Sequence, residues 1–238
     1  MVAHRGAHCC GHEENSLPAI EHAVELHAPG IEVDVCNLGD GELVLSHDPY
    51  VPIDGVAVPL PALRTHDLAP LLRTGRIALA RCGLDLVRAA DAFLCLDWKG
   101  FGDESGVVRL IDEFRLRDRT IVSSSHSGAV ARIKEERPGL VTGLSFPALG
   151  RCDDQSLLER AQRVAGRVRA AGADAAMLEL SLASEAMLGL LRERAAGVFL
   201  WTAKKTDAFS TLAGLTPDGI MSDAVEDHLA AFLSPSGR

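Results

Sequence analysis

Short runs rich in aliphatic and β-branched residues alternate along the chain with stretches in which apolar residues recur at helical spacing. The runs at residues 2–6, 30–36, 93–99, 120–125, 140–146, 175–180, 197–203 and 219–223 read as strands. A further run at 42–47 follows the turn dipeptide Asp40-Gly41 and reads as a hairpin extension of the second strand. Between these runs lie helical patterns. Asn15-Ser16-Leu17-Pro18 supplies a capping residue and an early proline for a helix running to Leu26. Residues 156–171 form an amphipathic stretch that stops at Gly172, and 185–196 form another. Strand and helix in strict alternation imply a parallel α/β sheet. Eight such units point to a TIM-type (β/α)8 barrel in one domain rather than an open doubly wound sheet, and 238 residues suit either.

Residues 49–92 break the rhythm. They carry five prolines, at 49, 52, 59, 61 and 70, before a helical pattern near residues 83–92. This segment is expected to be a loop excursion over the end of the barrel where the strands terminate, the end at which loops shape the active site.

The polar residues fall where chemistry would use them. His4 and Arg5 end the first strand, Glu32 and Asp34 alternate on the second, His47 and Asp48 end its extension, and Asp97 and Lys99 alternate at the end of the third. Residues i and i+2 of a strand share a face. If that face is the barrel interior, three carboxylates and a lysine converge at the mouth. Unpaired, such carboxylates would repel one another and pay a large desolvation cost. A divalent cation relieves both, and an all-oxygen donor set favours Mg2+, Ca2+ or Mn2+ over Zn2+. The competing expectation is that these acids face outward and pair with helix lysines or arginines. His4 and His47 are candidates for proton transfer. His22, His27, His66 and His228 read as hydrogen-bonded structural histidines. His8 and His12 read as surface loop residues near the mouth, because their spacing around Cys9 and Cys10 does not suit a tetrahedral zinc site. Glu179, Asp174, Ser124 and His126 are secondary candidates.

Composition narrows the partners. A net charge of −9 gains nothing from the counterion release that drives nucleic-acid binding. No uncharged apolar run approaches the length of a membrane span, and no signal peptide is read ahead of His4. Six cysteines without a CxxC pair read as reduced thiols in a cytoplasmic protein, with Cys36 and Cys95 acting as small hydrophobes in strands.

Several segments in order carry a resemblance. They are Ala3-His4-Arg5-Gly6, Glu14-Asn15-Ser16-Leu17-Pro18-Ala19, Gly30-Ile31-Glu32-Val33-Asp34-Val35 and 40–49, which ends Ser46-His47-Asp48-Pro49. Leu96-Asp97-Trp98-Lys99, Leu200-Trp201-Thr202 and 218–223 follow. This series resembles the glycerophosphodiester phosphodiesterase family, densely over the first fifty residues and sparsely between Phe101 and Gly197. The resemblance implies a TIM barrel with one divalent cation bound by Glu32, Asp34 and Asp97. It implies His4 and His47 as the acid/base pair, Arg5 and Lys99 on the phosphate, and Trp201 against the substrate's carbon portion. The implied reaction hydrolyses a small phosphodiester to an alcohol and glycerol 3-phosphate. The chain departs from the family pattern at four points: Asp97 stands where Glu is usual, Glu13 replaces Pro, Leu38 replaces Thr, and the stretch after Pro49 is short of an Asp-Arg-Thr-Thr-type signature. Lys204 and Lys205 follow Trp-Thr where Asn is usual, either adding charge at the mouth or standing as solvated lysines. Two alternatives stay open. One is a specialised phosphodiesterase of this fold for a lysophospholipid, sugar phosphodiester or secondary metabolite; the other is a barrel that only binds a phosphate ligand.

Overall fold

The computed structural model describes residues 1–8, 11–147, 156–193, 196–205 and 209–233. Eight parallel strands, β1 (Val2–Ala3), β2 (Gly30–Asn37), β3 (Phe93–Trp98), β4 (Thr120–Ser124), β5 (Val141–Phe146), β6 (Ala175–Glu179), β7 (Gly197–Ala203) and β8 (Gly219–Ser222), pair in sequence order. β1 pairs with both β8 and β2, which closes the ring. Helices α1 (Leu17–Glu25), α2 (Ala80–Ala89), α3 (Glu104–Glu113), α4 (Ser127–Glu136), α5 (Leu157–Ala170), α6 (Glu185–Arg192), α7 (Phe209–Gly214) and α8 (Val225–Leu233) alternate with the strands. The expected (β/α)8 barrel is therefore the fold.

Alternation within the strands separates two cores. On β2, Ile31, Val33 and Val35 pack outward in one apolar cluster with Ala23 of α1 and Leu84 of α2, so Glu32 and Asp34 are left to the interior. All eight residues of β2 are buried, as expected of a strand covered on both faces. Inside the ring, Val2, Cys95, Ile121, Ala175, Met177 and Met221 form an apolar plug with Phe93, Phe199 and Trp201. Cys36 and Cys95 are buried as small apolar side chains, as expected. Burial, with Asp34 next, pushes the Cys36 thiol up to about 12, so it stays protonated and unreactive.

Local chemistry sets the helix ends. The Ser16 hydroxyl accepts from the Ala19 N–H and Pro18 sits in the first turn, so α1 starts where expected. Ser156 and Glu159 make a reciprocal capping box on α5. β1 is shorter than residues 2–6, because Arg5 (φ 54°) and Gly6 (φ 79°) turn the chain sharply after Ala3. The second-strand extension is the short strand Leu43–Leu45, antiparallel to β2. Within 49–92, a hairpin (Tyr50–Ile53 with Val56–Pro59) turns at Asp54-Gly55, both at positive φ. Leu60, Leu63, Leu68 and Ile77 then pack with Cys36, Leu38 and Val44 into a small separate core. The chain returns through Ala78–Leu79, which pairs with Leu43–Leu45, and enters α2 three residues earlier than the pattern suggested. The expected fraying of 234–238 falls outside the described residues, as do Cys9, Cys10 and Cys152.

The Arg5-Gly6 turn is a tight point of the scaffold. A Cβ on Gly6 would lie 2.6 Å from the Ala19 carbonyl carbon of α1, at a φ that L side chains rarely adopt. Gly6→Ala is therefore expected to cost about 2–3 kcal/mol of folding stability. Urea unfolding measures this, and an unchanged midpoint would refute the close approach.

Candidate active site

The interior becomes polar toward the C-terminal ends of β1 to β5. Asp34 of β2 is in register with Asp97 of β3, and Asp97 with Ser123 of β4. These residues open into a cavity of about 230 Å3 lined by His4, Arg5, Asp34, His47, Asp97, Lys99, Ser123, Ser125, Ser145, Pro147, Met177, Trp201 and Met221. Seven of the eight expected site residues line this cavity. The eighth, Glu32, lies deeper, one strand pair below Asp34. The outward-facing alternative for these acids fails because Ile31, Val33 and Val35 take the helix-facing side of β2, while Asp34 and Asp97 open into the cavity.

Each group is held by a specific partner. The left-handed turn at Arg5 aims its backbone N–H at Glu32 Oε2, at 2.8 Å. The Arg5 side chain donates through Nη1 to Glu14 Oε2 at 2.7 Å, and its Nε lies 3.0 Å from Asp34 Oδ2 as an ion pair without hydrogen-bond alignment. Lys99 Nζ bridges Asp34 Oδ1 at 3.2 Å and Asp97 Oδ2 at 2.5 Å. Ser123 donates to the other Asp97 oxygen at 2.7 Å. Asn15, at positive φ, grips Asp34 twice: its Nδ2 donates to Oδ2 at 2.8 Å, and its Oδ1 accepts from the Asp34 N–H at 2.9 Å.

The electrostatics follow from this crowding. Burial, then the Asp34 and Asp97 charges, pushes the Glu32 carboxyl well above the ordinary range. Burial opposes ionisation of Asp34 too, but Lys99, Arg5 and the Asn15 amide overcome it and hold that carboxyl low. Burial also opposes the Lys99 charge, and the Asp97 and Asp34 carboxylates outweigh it, so its pKa is raised. Three carboxylates thus meet two fixed cations, and the deepest carboxylate, Glu32, is the least compensated. The carboxylate oxygens are donors of the kind that suits a divalent cation, although among the described residues they do not stand within 4.8 Å of one another as a ready-made set, and Lys99 occupies the space between Asp34 and Asp97. Asp97 is one methylene shorter than glutamate, and its two oxygens are already bound by Lys99 and Ser123.

The two histidines share a design. His4 Nδ1 lies 2.6 Å from Asp223 Oδ1, and His47 Nδ1 lies 2.8 Å from Asp48 Oδ1. In each, bonding at Nδ1 leaves Nε2 as the working nitrogen. His4 Nε2 is 3.9 Å from Glu32 Oε2. His47 stands at the rim, beside a shallower cavity of about 200 Å3 that reaches Tyr50, Val51, Pro52, Arg76 and Ile77 of the 49–92 segment.

Three contributors, Asn15, Glu14 and Asp223, escaped the sequence reading, and so did His8, the neighbour of Asp223. Asn15 and Glu14 appeared only as motif letters, although an asparagine just before a helix cap suits positive φ. Asp223 and His8 were missed because their partners are remote in sequence: Asp223 is 219 residues from His4 and 215 from His8. His8 is thus not a plain surface residue. The secondary candidates stay out of the cavity. Ser124 bonds the Trp98 carbonyl, His126 packs on Phe101, Asp174 pairs with Lys134, and Glu179 caps the turn at Ser181. His12 lies against His22, and His228 is buried on Ser222. Lys204 and Lys205 are exposed away from the cavity, with Lys205 3.3 Å from Asp227.

Known proteins resemble this chain in sequence and in fold. Residues 4–71 match the glycerophosphoryl diester phosphodiesterase family. The chain is 26% identical to YhdW of Bacillus subtilis (strain 168), provisionally named a glycerophosphodiester phosphodiesterase, over 94% of this chain and 93% of that protein. It is 27% identical to a glycerophosphodiester phosphodiesterase of Caldanaerobacter subterraneus subsp. tengcongensis, over 61% of this chain and 66% of that one. Among solved structures, an Oleispira antarctica phosphodiesterase in complex with the product sn-glycerol-3-phosphate shares the fold. Its TM-score is 0.79 at 17% identity, covering 98% of this chain and 96% of that one. A Thermotoga maritima glycerophosphodiester phosphodiesterase has a TM-score of 0.72 at 20% identity, covering 98% and 97%.

The surplus charge on Glu32 yields a prediction. Glu32→Gln keeps the acceptor for the Arg5 N–H and removes the opposed charge. The metal-free variant is expected to melt at or above the wild-type temperature, while stabilisation by added Mg2+ or Ca2+ shrinks. Thermal unfolding with and without the ions measures both. A metal-free drop of more than about 3 °C, roughly 1 kcal/mol for a chain of this size, would contradict it.

Proposed function

We infer that this chain, a member of the glycerophosphodiester phosphodiesterase family, is a phosphoric diester hydrolase that cleaves a glycerophosphodiester to an alcohol and glycerol 3-phosphate with one divalent cation bound. The observation that carries the inference is the meeting, in one cavity, of buried carboxylates, two phosphate-competent cations and two histidines with carboxylate-anchored Nδ1 atoms. The Oleispira antarctica relative binds the product that this reaction would release.

Glu32, Asp34 and Asp97 would hold the cation, Mg2+ or Ca2+ with Mn2+ as a further candidate, on oxygen donors alone. When bound, it supplies charge neutralisation for a non-bridging phosphate oxygen. Arg5 and Lys99 turn toward the same phosphate, and their positive charge stabilises the charge that develops as the diester is attacked. One histidine accepts, at Nε2, the proton of the attacking hydroxyl. The other delivers a proton to the departing alkoxide, which otherwise leaves poorly. The two protons balance across the cycle, so the products are a neutral alcohol and the phosphomonoester. Asp223 and Asp48 keep each ring oriented while its proton moves. Trp201, with Met177 and Met221, offers an apolar wall to the carbon portion of the substrate.

We read the chain as one barrel domain in which 49–92 walls the His47 side of the mouth. No helix among the described residues is long and apolar enough to cross a membrane. A cytoplasmic setting belongs to this reading and is supported by the free thiols of Cys36, Cys82 and Cys95.

The test is turnover of glycerophosphocholine, glycerophosphoethanolamine, lysophosphatidylcholine and bis(p-nitrophenyl) phosphate, each with EDTA, Mg2+, Ca2+ or Mn2+. Activity is expected only with a divalent ion. His47→Ala is expected to lower kcat by about 100- to 10,000-fold with a smaller change in KM, and Asp34→Ala to abolish the response to metal. Turnover undiminished in EDTA, or in His47→Ala, would sink the inference. A folded protein that binds glycerol 3-phosphate and turns over none of the panel is a binding barrel instead.

A further inference from the structure

His8 is not among the residues assigned to the reaction, yet its ring reaches them. Asp223 Oδ1 receives two imidazoles at once, His4 Nδ1 at 2.6 Å and His8 Nε2 at 3.4 Å. The three ligating atoms all lie within 4.8 Å of one another. The side chains of His4, His8 and Asp223 are 14%, 25% and 30% exposed, so the cluster is sheltered but within reach of a small ion. Among the described residues, Asp223 pairs with no lysine or arginine. Its ionic partners among the described residues are the two rings.

Donors of this kind select a different ion from the carboxylate site. Two imidazole nitrogens and one carboxylate oxygen suit Zn2+ or a similar borderline dication, whereas the all-oxygen set of Glu32, Asp34 and Asp97 suits harder ions. Ligands about 2.0–2.2 Å from a tetrahedral zinc stand roughly 3.3 Å apart. Both separations from Asp223 lie within about 1 Å of that value, and the His4 and His8 nitrogens stand within 4.8 Å of each other.

We propose that His4, His8 and Asp223 form a second metal site, for Zn2+ or a similar borderline dication, and that its occupancy inhibits turnover; the inhibitory part rests on the reading of His4 as a proton-transfer residue. With the Nδ1 proton donated to Asp223, the Nε2 lone pair of His4 is free to take a proton. Coordination through Nδ1 shifts that ring proton through solvent to Nε2, with no net release. Nε2 then carries a proton throughout and cannot accept another, so the cycle stops. The carboxylate site keeps its own ion meanwhile.

The experiment titrates Zn2+ into Mg2+-saturated protein and follows both bis(p-nitrophenyl) phosphate turnover and zinc content after equilibrium dialysis. About one equivalent of zinc is expected to bind, with turnover falling in step and excess Mg2+ failing to restore it. His8→Gln is expected to weaken both effects by at least about ten-fold while retaining turnover in the absence of zinc. A Cys9→Ser, Cys10→Ser double variant is expected to respond to zinc like the wild type. The proposal is overturned if Mg2+ relieves the inhibition and His8→Gln leaves it unchanged, because zinc is then displacing the ion of Glu32, Asp34 and Asp97. It is equally overturned if the cysteine variant loses the bound zinc. If the wild type has no turnover with any metal, the phosphodiesterase reading fails, and His8-dependent zinc content still decides whether the site exists.

Discussion

Mutual repulsion among Glu32, Asp34 and Asp97 is the constraint around which the upper half of the barrel is organised. Strand pairing sets Asp34 level with Asp97, and the pleat turns both to the interior together with Glu32. Water cannot relieve the deepest of them, since Glu32 is enclosed. Neighbouring groups do the relieving instead. The Arg5 N–H, the Asn15 amide and the Ser123 hydroxyl each arrive from a different element to meet one carboxylate, and the Lys99 ammonium meets two. The cost of the Arg5 turn is intelligible on these terms, because a residue at positive φ is what directs that N–H at Glu32.

The ring is correspondingly asymmetric. The carboxylates and cations come from the loop after β1 and from β2 and β3, while β6, β7 and β8 contribute Met177, Trp201 and Met221. Below this level the interior is filled by the apolar plug, so the barrel is closed from underneath and ligands must enter from the strand C-terminal ends. A phosphodiester has the same division, with a charged centre and carbon-rich arms.

Much of this was legible in the chain because strands report their faces with a period of two. Glu32 with Asp34, and Asp97 with Lys99, could be placed on shared faces, and their convergence followed once eight strand–helix units were counted. What stayed hidden has physical reasons. The partnership of His4 with Asp223 depends on ring closure between β1 and β8, which no local pattern encodes. Asn15 read as a letter of a helix start because its side chain acts across a loop on Asp34 rather than on its own helix. β1 read three residues too long because Arg5 adopts a backbone conformation that its side chain does not advertise. The 49–92 segment read as irregular because proline and turn residues mask a hairpin whose apolar side packs on a satellite core rather than on the barrel.

Closure of the ring also divides the site along the sequence. The strands that carry the buried carboxylates, β2 and β3, both lie in the first half of the chain. The carboxylate that orients His4 arrives only with β8, when β1 finds its second neighbour. The His4–Asp223 pair is thus a contact that only a shut barrel can make, between the two ends of the chain.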